Sequence, residues 1–276
     1  MRPQDLHTHS LYDDGKCTLE EMVQAAVGKR LSAIGLSGHS PIENEQDWTM
    51  PKEKLPQYMA EVKRLKAKYR VIIPVFCGIE YDLRSKLDLS TFDYVIGSVH
   101  ATVTPDGCFD ADNTAEIAKD GIKRYFAGNA DAAAECYFSQ YAEMANNPEI
   151  HIVGHFDLLT KFDEREAIYD PESKTYLQAA FAAMESLVKA GKIFEVNTGA
   201  ISRGYRTSPY PAKNLLKQLH SLGGRICLNS DAHSTDGIAC AFDSALELIK
   251  ACGFREIWML TAQGFAPVSV EKIEYL

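Results

Sequence analysis

Metal-capable side chains recur in this sequence where short apolar runs end. His7-Thr8-His9 follows Asp5-Leu6. Later runs end in Ser37-Gly38-His39, Gly78-Ile79-Glu80, Gly97-Ser98-Val99-His100 and Val153-Gly154-His155, and a last one in Asn229-Ser230-Asp231-Ala232-His233. In a β-strand, residues i and i+2 point the same way, so His7 and His9, and likewise Asp231 and His233, each present two donors to one side. Imidazole and carboxylate groups suit Zn, Fe or Mn, and their number here exceeds what one ion needs. A lone HxH is weak evidence for a metal site. Six histidines ending strands, together with Glu80 and Asp231, point to one. His151 and His220 fall outside this pattern. His151 precedes its run, and His220 sits beside Leu215, Leu216 and Leu219 in a helical pattern, so both are expected to be structural.

These residues need a scaffold that brings strand ends together. Strand-like runs read at Ser32–Ser37, Val71–Cys77, Tyr94–Val99, His151–Gly154, Ile193–Val196, Arg225–Leu228 and Glu256–Leu260. Helical patterns lie between them at Pro51–Lys68, Thr114–Phe126, Ala130–Asn146, Pro171–Ala190, Pro211–Leu222 and Gly237–Cys252. An earlier helix is announced by Thr18 with Glu21 at the capping-box position. Strand–helix alternation implies a parallel sheet. Seven or eight such units in 276 residues, with no Pro/Ser-rich linker, predict a closed α/β barrel forming a single domain over 1–276. In such barrels the C-terminal strand ends converge on one face, where active sites form. Residues more than 220 positions apart are then expected to share one pocket.

Composition narrows the class. With 46 % hydrophobic and 24 % charged residues, the chain can bury a sizeable core, which excludes a disordered protein. A formal charge of −9 argues against a general nucleic-acid or anionic-membrane binder. The opening MRPQDLHTHS has no apolar run of the secretory kind, and the longest apolar stretch, Val71–Ile79, is interrupted by Pro74 and too short to cross a bilayer. Seven dispersed cysteines without a CxxC pair argue against a disulfide scaffold and for a reducing cytoplasm. Two tempting motifs fail in context. Asp110-Ala111-Asp112-Asn113-Thr114 matches the DxDxT string of aspartate-nucleophile phosphatases, but Pro105-Asp106-Gly107 makes it a loop, read as a helix cap with solvated acids. Gly35-Leu36-Ser37-Gly38-His39 falls short of a GxSxG nucleophile elbow. No P-loop or dinucleotide GxGxxG is present.

The ordered set of motifs resembles a known family. HTH at His7–His9, Asp14-Gly15, Gly38-His39, Gly78–Glu80, SVH at Ser98–His100, GHFD at Gly154–Asp157 and SDAH at Ser230–His233 look like the PHP (polymerase and histidinol phosphatase) family. Within it, the chain is most similar to the stand-alone histidinol-phosphate phosphatases. The resemblance runs from His7 to His233. It implies a distorted (β/α)7 TIM-like barrel holding three divalent ions, Zn, Mn or Fe. Carried over residue by residue, it implies that His7, His9, Glu80 and Asp231 bind one ion. Glu80 would bridge to a second ion held also by His100 and His155, and Asp14, His39 and His233 would bind the third. Asp157 is outside that set and is expected to orient a ligand or the pocket.

The activity so implied is hydrolysis of a small phosphate monoester, L-histidinol phosphate first among them, as in histidine biosynthesis. Divalent ions clamp phosphate oxygens and lower the pKa of a water that attacks phosphorus in line, so no covalent protein nucleophile is required. Arg203, Arg206 and Lys161, in loops after strand ends, are the candidate phosphate donors. Alternatives are a PHP phosphoesterase acting on nucleotides or oligonucleotide ends, and a non-catalytic, metal-stabilised PHP module. A nuclease needs a basic track that this acidic chain lacks. An amidohydrolase shares the HxH opening but leaves Asp14, His39 and His233 unused.

Overall fold

The structure is a computed structural model, and it describes residues 1–43 and 47–274. Its strands are β1 (Ile34–Leu36), β2 (Val75–Asp82), β3 (Tyr94–Ser98), β4 (Ala101–Thr104), β5 (Gly107–Asp110), β6 (Ile152–Val153), β7 (Ile193–Asn197), β8 (Arg225–Asn229), β9 (Glu256–Thr261) and β10 (Gly264–Ser269). Its α-helices are α1 (Leu19–Gly28), α2 (Leu55–Tyr69), α3 (Ala115–Phe126), α4 (Ala130–Glu143), α5 (Asp163–Glu166), α6 (Lys174–Lys189), α7 (Gly199–Ser202), α8 (Lys213–Ser221) and α9 (Phe242–Ala251). Six strands form one curled sheet in the order β1-β2-β3-β6-β7-β8, parallel at every pairing.

The segment Asp5–His9 joins the two edges of that sheet. On one side Gly35 N donates to Asp5 O (2.8 Å) and Ser37 N to Thr8 O (3.1 Å). On the other, Ala232 N donates to His7 O (3.1 Å) and His9 N to Ala232 O (2.9 Å). The segment is thus a seventh stave, and the result is a distorted (β/α)7 barrel. Leu6, Tyr94, Ile96, Ile152, Ile193 and Cys227 fill its interior. Gly35 and Gly78 make room for the Tyr94 ring, since a Cβ at either would lie within 2.2 Å of it. The opposite faces of the strands supply Leu36, Val75, Ile79, Val95, Phe194 and Leu228 to a second core with the helices, which bring Met22, Tyr58, Val62, Tyr137, Phe138, Met184 and Leu216. Each such buried side chain contributes about 1.5–3 kcal/mol before conformational entropy is counted.

Local signals behave as the sequence predicts at α1 and α3. Thr18 and Glu21 form the reciprocal capping box, and Thr114 accepts from Ile117 N. Two strand expectations are corrected. Val71 and Ile72 are 83 % and 61 % exposed in a turn after α2, and the strand begins only at Val75. The run at 256–260 is β9, which pairs antiparallel with β10 instead of joining the parallel sheet. Its Leu260 reaches the barrel interior, with Trp258 and Phe265 packed against the same cluster, so this hairpin covers the end of the barrel opposite the strand-end histidines. Among the described residues, no helix is long and apolar enough to cross a membrane.

Candidate metal centre and active site

The C-terminal strand ends bring all nine expected ligands into one cluster. Its hub is Glu80, buried on β2, whose two oxygens face different partners. Oε2 lies 3.3 Å from His7 Nε2, 3.6 Å from His9 Nε2 and 2.7 Å from His39 Nδ1. Oε1 lies 2.9 Å from His155 Nε2 and 3.3 Å from His100 Nε2. Asp231 adds its Oδ1 at 3.1 Å from His9 Nε2 and 3.7 Å from His7 Nε2. Asp14 Oδ1 lies 3.2 Å from His233 Nε2 and 3.6 Å from His39 Nε2. Asp231 has φ +50°, a left-handed conformation costing about 1–3 kcal/mol in a non-glycine residue, which the surrounding contacts hold in place.

Among the described residues, three groups of donors lie close enough together to hold an ion: His9, Asp14, His39 and His233; His7, His9 and Glu80; His39, Glu80 and His100. His7 Nε2, His9 Nε2, His39 Nδ1 and Glu80 Oε2 are buried and make no hydrogen bond among the described residues. Orphaned buried polar atoms are costly, and four of them converging as imidazole nitrogens and a carboxylate oxygen fit divalent metal ligation. The charges interlock in the same sense. Burial alone favours neutral His7, yet Glu195, Glu80 and Asp231 raise its pKa well above the usual imidazole value. Burial would likewise raise Glu80, but His39, His7 and His100 hold it well below the usual carboxylate range.

A second layer of carboxylates, not singled out by motif, fixes the far ring nitrogens. Glu195 Oε2 is 3.0 Å from His7 Nδ1, Asp13 Oδ2 is 2.6 Å from His9 Nδ1, and Asp82 Oδ2 is 3.0 Å from His100 Nδ1. Such partners set ring tautomer and orientation. A usable signal was present for two of them. Asp82 follows Glu80 at i+2 on the same strand, and Glu195 is a lone carboxylate inside the apolar run Ile193–Val196.

The cluster opens into a cavity of about 300 Å³. Asp14, His39, His100, His155, Asp231 and His233 line one side of it, with Lys161, Arg203, Trp48, Leu158 and Tyr205 around them and Asp110, Asp112 and Asn113 completing the wall. Arg203 donates through Nη2 to Asp231 Oδ2 (3.0 Å) and through Nη1 to the Asp231 carbonyl (2.9 Å). Lys161 Nζ donates to the Asp112 carbonyl (2.6 Å) and lies 3.3 Å from Asp112 Oδ2. Arg206 is not among the cavity-lining residues. Its guanidinium donates to the Thr160 carbonyl (3.2 Å) and stacks on Tyr210 at 4.6 Å, so it braces two loops where a phosphate donor was expected. Asp157 is buried and accepts from Ala212 N (3.0 Å), orienting the loop after Tyr210 with no hydrogen bond to a ligand histidine among the described contacts. The acids at 110–114 also depart from expectation. Thr114 does cap α3, but Asp110 and Asp112 face the cavity, and Asp112 pairs with Lys161. His151 Nδ1 accepts from Val95 N (3.2 Å), and His220 packs edge-on against Phe254 (5.1 Å), both away from the cluster.

Comparison with known proteins agrees with this architecture. Residues 5–199 match the PHP domain. A Deinococcus radiodurans protein named a probable histidinol-phosphatase is 27 % identical over 92 % of this chain and 95 % of its own length. The histidinol-phosphatase of Lactococcus lactis is 26 % identical over 93 % of this chain and 94 % of its own. A crystal structure of a Lactococcus lactis histidinol phosphate phosphatase, complexed with Zn, L-histidinol and phosphate, superposes with a TM-score of 0.73. It covers 96 % of this chain and 99 % of its own at 22 % identity, a likeness of fold. With most of its length matched and the strand-end donors assembled on one barrel face, this chain belongs to the PHP domain family.

Proposed function

We propose that the chain is a single-domain, metal-dependent phosphatase that hydrolyses L-histidinol phosphate to L-histidinol and phosphate. Full-length relatives named histidinol-phosphatases support the substrate. The observation that carries the reaction class is Glu80, whose two oxygens serve two separate sets of histidines beside a cavity furnished with Arg203 and Lys161. His7, His9, Glu80 and Asp231 are assigned to one ion, Glu80, His100 and His155 to a second, and Asp14, His39 and His233 to a third. Zn, Mn and Fe all suit these donors. Bound there, divalent ions supply positive charge for the phosphate and make water a nucleophile at neutral pH.

The chain's own groups do the rest. Arg203, held on Asp231 through Nη1 and Nη2, brings its positive charge to the phosphate, and Lys161 adds a point charge from the adjoining loop. Glu195, Asp13 and Asp82 each hold a ligand ring in one orientation, so the donors need no rearrangement when substrate enters. Trp48, Leu158 and Tyr205 wall the cavity with apolar surface that limits water around the ester. The ligand is a small ester, since a 300 Å³ cavity suits a compact molecule and a net charge of −9 disfavours a nucleic-acid backbone. Seven free cysteines suit a reducing cytoplasm.

Phosphate release from L-histidinol phosphate, nucleoside monophosphates and a generic aryl phosphate tests this directly, with and without chelator. The expected result is chelator-sensitive hydrolysis with L-histidinol phosphate preferred. Equal rates on the aryl ester would remove the named substrate, and inactivity of metal-loaded protein on every ester would leave a metal-stabilised module.

A further inference from the structure

The Asp110–Thr114 segment has no part in the metal cluster, yet the fold carries it into the same cavity. It follows the β4–β5 hairpin, which begins one residue after His100, and Ala111 N donates back to the His100 carbonyl (2.8 Å). This tie leaves Asp110 and Asp112 lining the wall beside Lys161, in the cavity that also holds Arg203 and the candidate metal ligands. Asp110 and Asp112 together face one lysine, and the negative charge left over repels a simple phosphate ester and favours a substrate that brings its own positive charge. Lys161 Nζ donates both to the Asp112 main-chain carbonyl (2.6 Å) and to its Oδ2 (3.3 Å), and Asp112 Oδ1 makes no hydrogen bond among the described residues. One carboxylate oxygen is therefore left for a second cation.

We infer that Asp112 is a specificity residue that receives a cationic amine of the substrate, so that the pocket selects phosphate esters carrying an ammonium group a few bonds from the ester oxygen. This rests on the phosphatase function proposed above and names what that pocket reads beyond phosphate. Asp110 on the same wall adds negative potential. Trp48, edge-on to His39 at 4.8 Å, supplies an aromatic face for the rest of the ligand.

The test uses two esters that differ only in the amine, L-histidinol phosphate and 3-(imidazol-4-yl)propyl phosphate, on metal-loaded wild type and Asp112→Asn. A charge-assisted contact predicts that wild type favours the amine ester by about tenfold or more in kcat/KM, expressed mainly in KM. In Asp112→Asn, whose main-chain carbonyl still meets Lys161, that preference should shrink to within about threefold of unity. Asp112→Ser gives a second arm. Calorimetric binding of L-histidinol against the amine-free alcohol to wild type alone gives a third, independent of variant folding. Equal proportional losses on both esters would mean that Asp112 acts only through Lys161, and would overturn the assignment. So would a wild type that does not discriminate. Hydrolysis of neither ester by metal-loaded wild type would instead sink L-histidinol phosphate as the substrate, and this inference with it.

Discussion

Glu195 holds His7 from behind. Its Oε2 lies 3.0 Å from His7 Nδ1, while His7 Nε2 stands 3.3 Å from Glu80 Oε2 on the other side of the ring. The same carboxylate accepts from the His155 backbone N–H (2.7 Å), from Asn197 Nδ2 (2.7 Å) and from Asn229 Nδ2 (2.9 Å). One buried side chain on β7 therefore sets two ligand-bearing segments at once.

Replacing Glu195 with Gln keeps the volume but offers Nδ1 either a weaker acceptor or an amide donor, which turns the tautomer the wrong way. Lost supporting partners of this kind typically weaken metal affinity by about 10–100-fold. Competition with a chromophoric chelator should show that loss in Glu195→Gln, with wild-type-like circular dichroism. Unchanged affinity would show that ring orientation is set elsewhere.

Gly199 sits against the Asp231–Arg203 pair. A Cβ there would lie 2.8 Å from Asp231 Oδ2, 2.9 Å from Asp231 Cβ and 3.0 Å from Arg203 Nη2. Asp231 is already in a left-handed backbone conformation and has little freedom to yield. Gly199→Ala should therefore displace both groups and lower kcat/KM by about tenfold or more, as small misplacements of reacting groups do. Gly28→Ala, with nothing within 4 Å of its Cβ, is the control and should keep full activity. A fully active Gly199→Ala would show that Asp231 tolerates the shift.

The two kinds of residue just described differ in how visible they are in the sequence. His7, His9, Glu80 and Asp231 announce themselves because strand-end position and i, i+2 spacing are local properties. The Glu195–His7 contact joins residues 188 positions apart and becomes visible only when the barrel closes. The α/β class and the capping box at Thr18 were legible for the same local reason. β9 was misplaced because an apolar run does not say whether its partner is parallel or antiparallel, and Val71–Ile72 because hydrophobicity alone does not bury a turn. Arg206 and Asp112 exchanged expected places, since a loop's composition does not fix which side chain meets the cavity.

That exchange separates two arginines. Arg203→Ala removes the guanidinium that clasps Asp231 through two nitrogens and lines the cavity, so kcat/KM should fall by about tenfold or more, with Arg203→Lys a poor substitute. Arg206→Ala loses the Thr160 contacts and the stack on Tyr210, so thermal unfolding should occur a few degrees lower, roughly 1–2 kcal/mol, with KM nearly unchanged. A large KM effect from Arg206→Ala would restore it as a phosphate ligand.

Metal loading should itself be pH-dependent, with a sign fixed by the histidines. Burial pulls the His9 pKa down, but Asp13 and then Asp231 and Glu80 outweigh it and raise it from 6.5 to about 10. The metal-free cluster therefore holds a proton on His9 at neutral pH, and an ion must displace it. Because the folded pKa lies above the unfolded one, this proton stabilises metal-free protein fully below about pH 6.5 and is lost as pH rises toward about 10. Asp14 and Glu80, whose pKa values are depressed, give up their contribution only in acid, outside that window. Metal affinity moves the opposite way, rising as the displaced proton becomes easier to remove. The difference in Tm between metal-loaded and chelated protein should therefore widen from pH 6.5 to pH 9, and adding Zn to chelator-treated protein in weak buffer at neutral pH should release protons. A gap that narrows over that range, with no proton release, would show that the cluster is already deprotonated before the metal arrives.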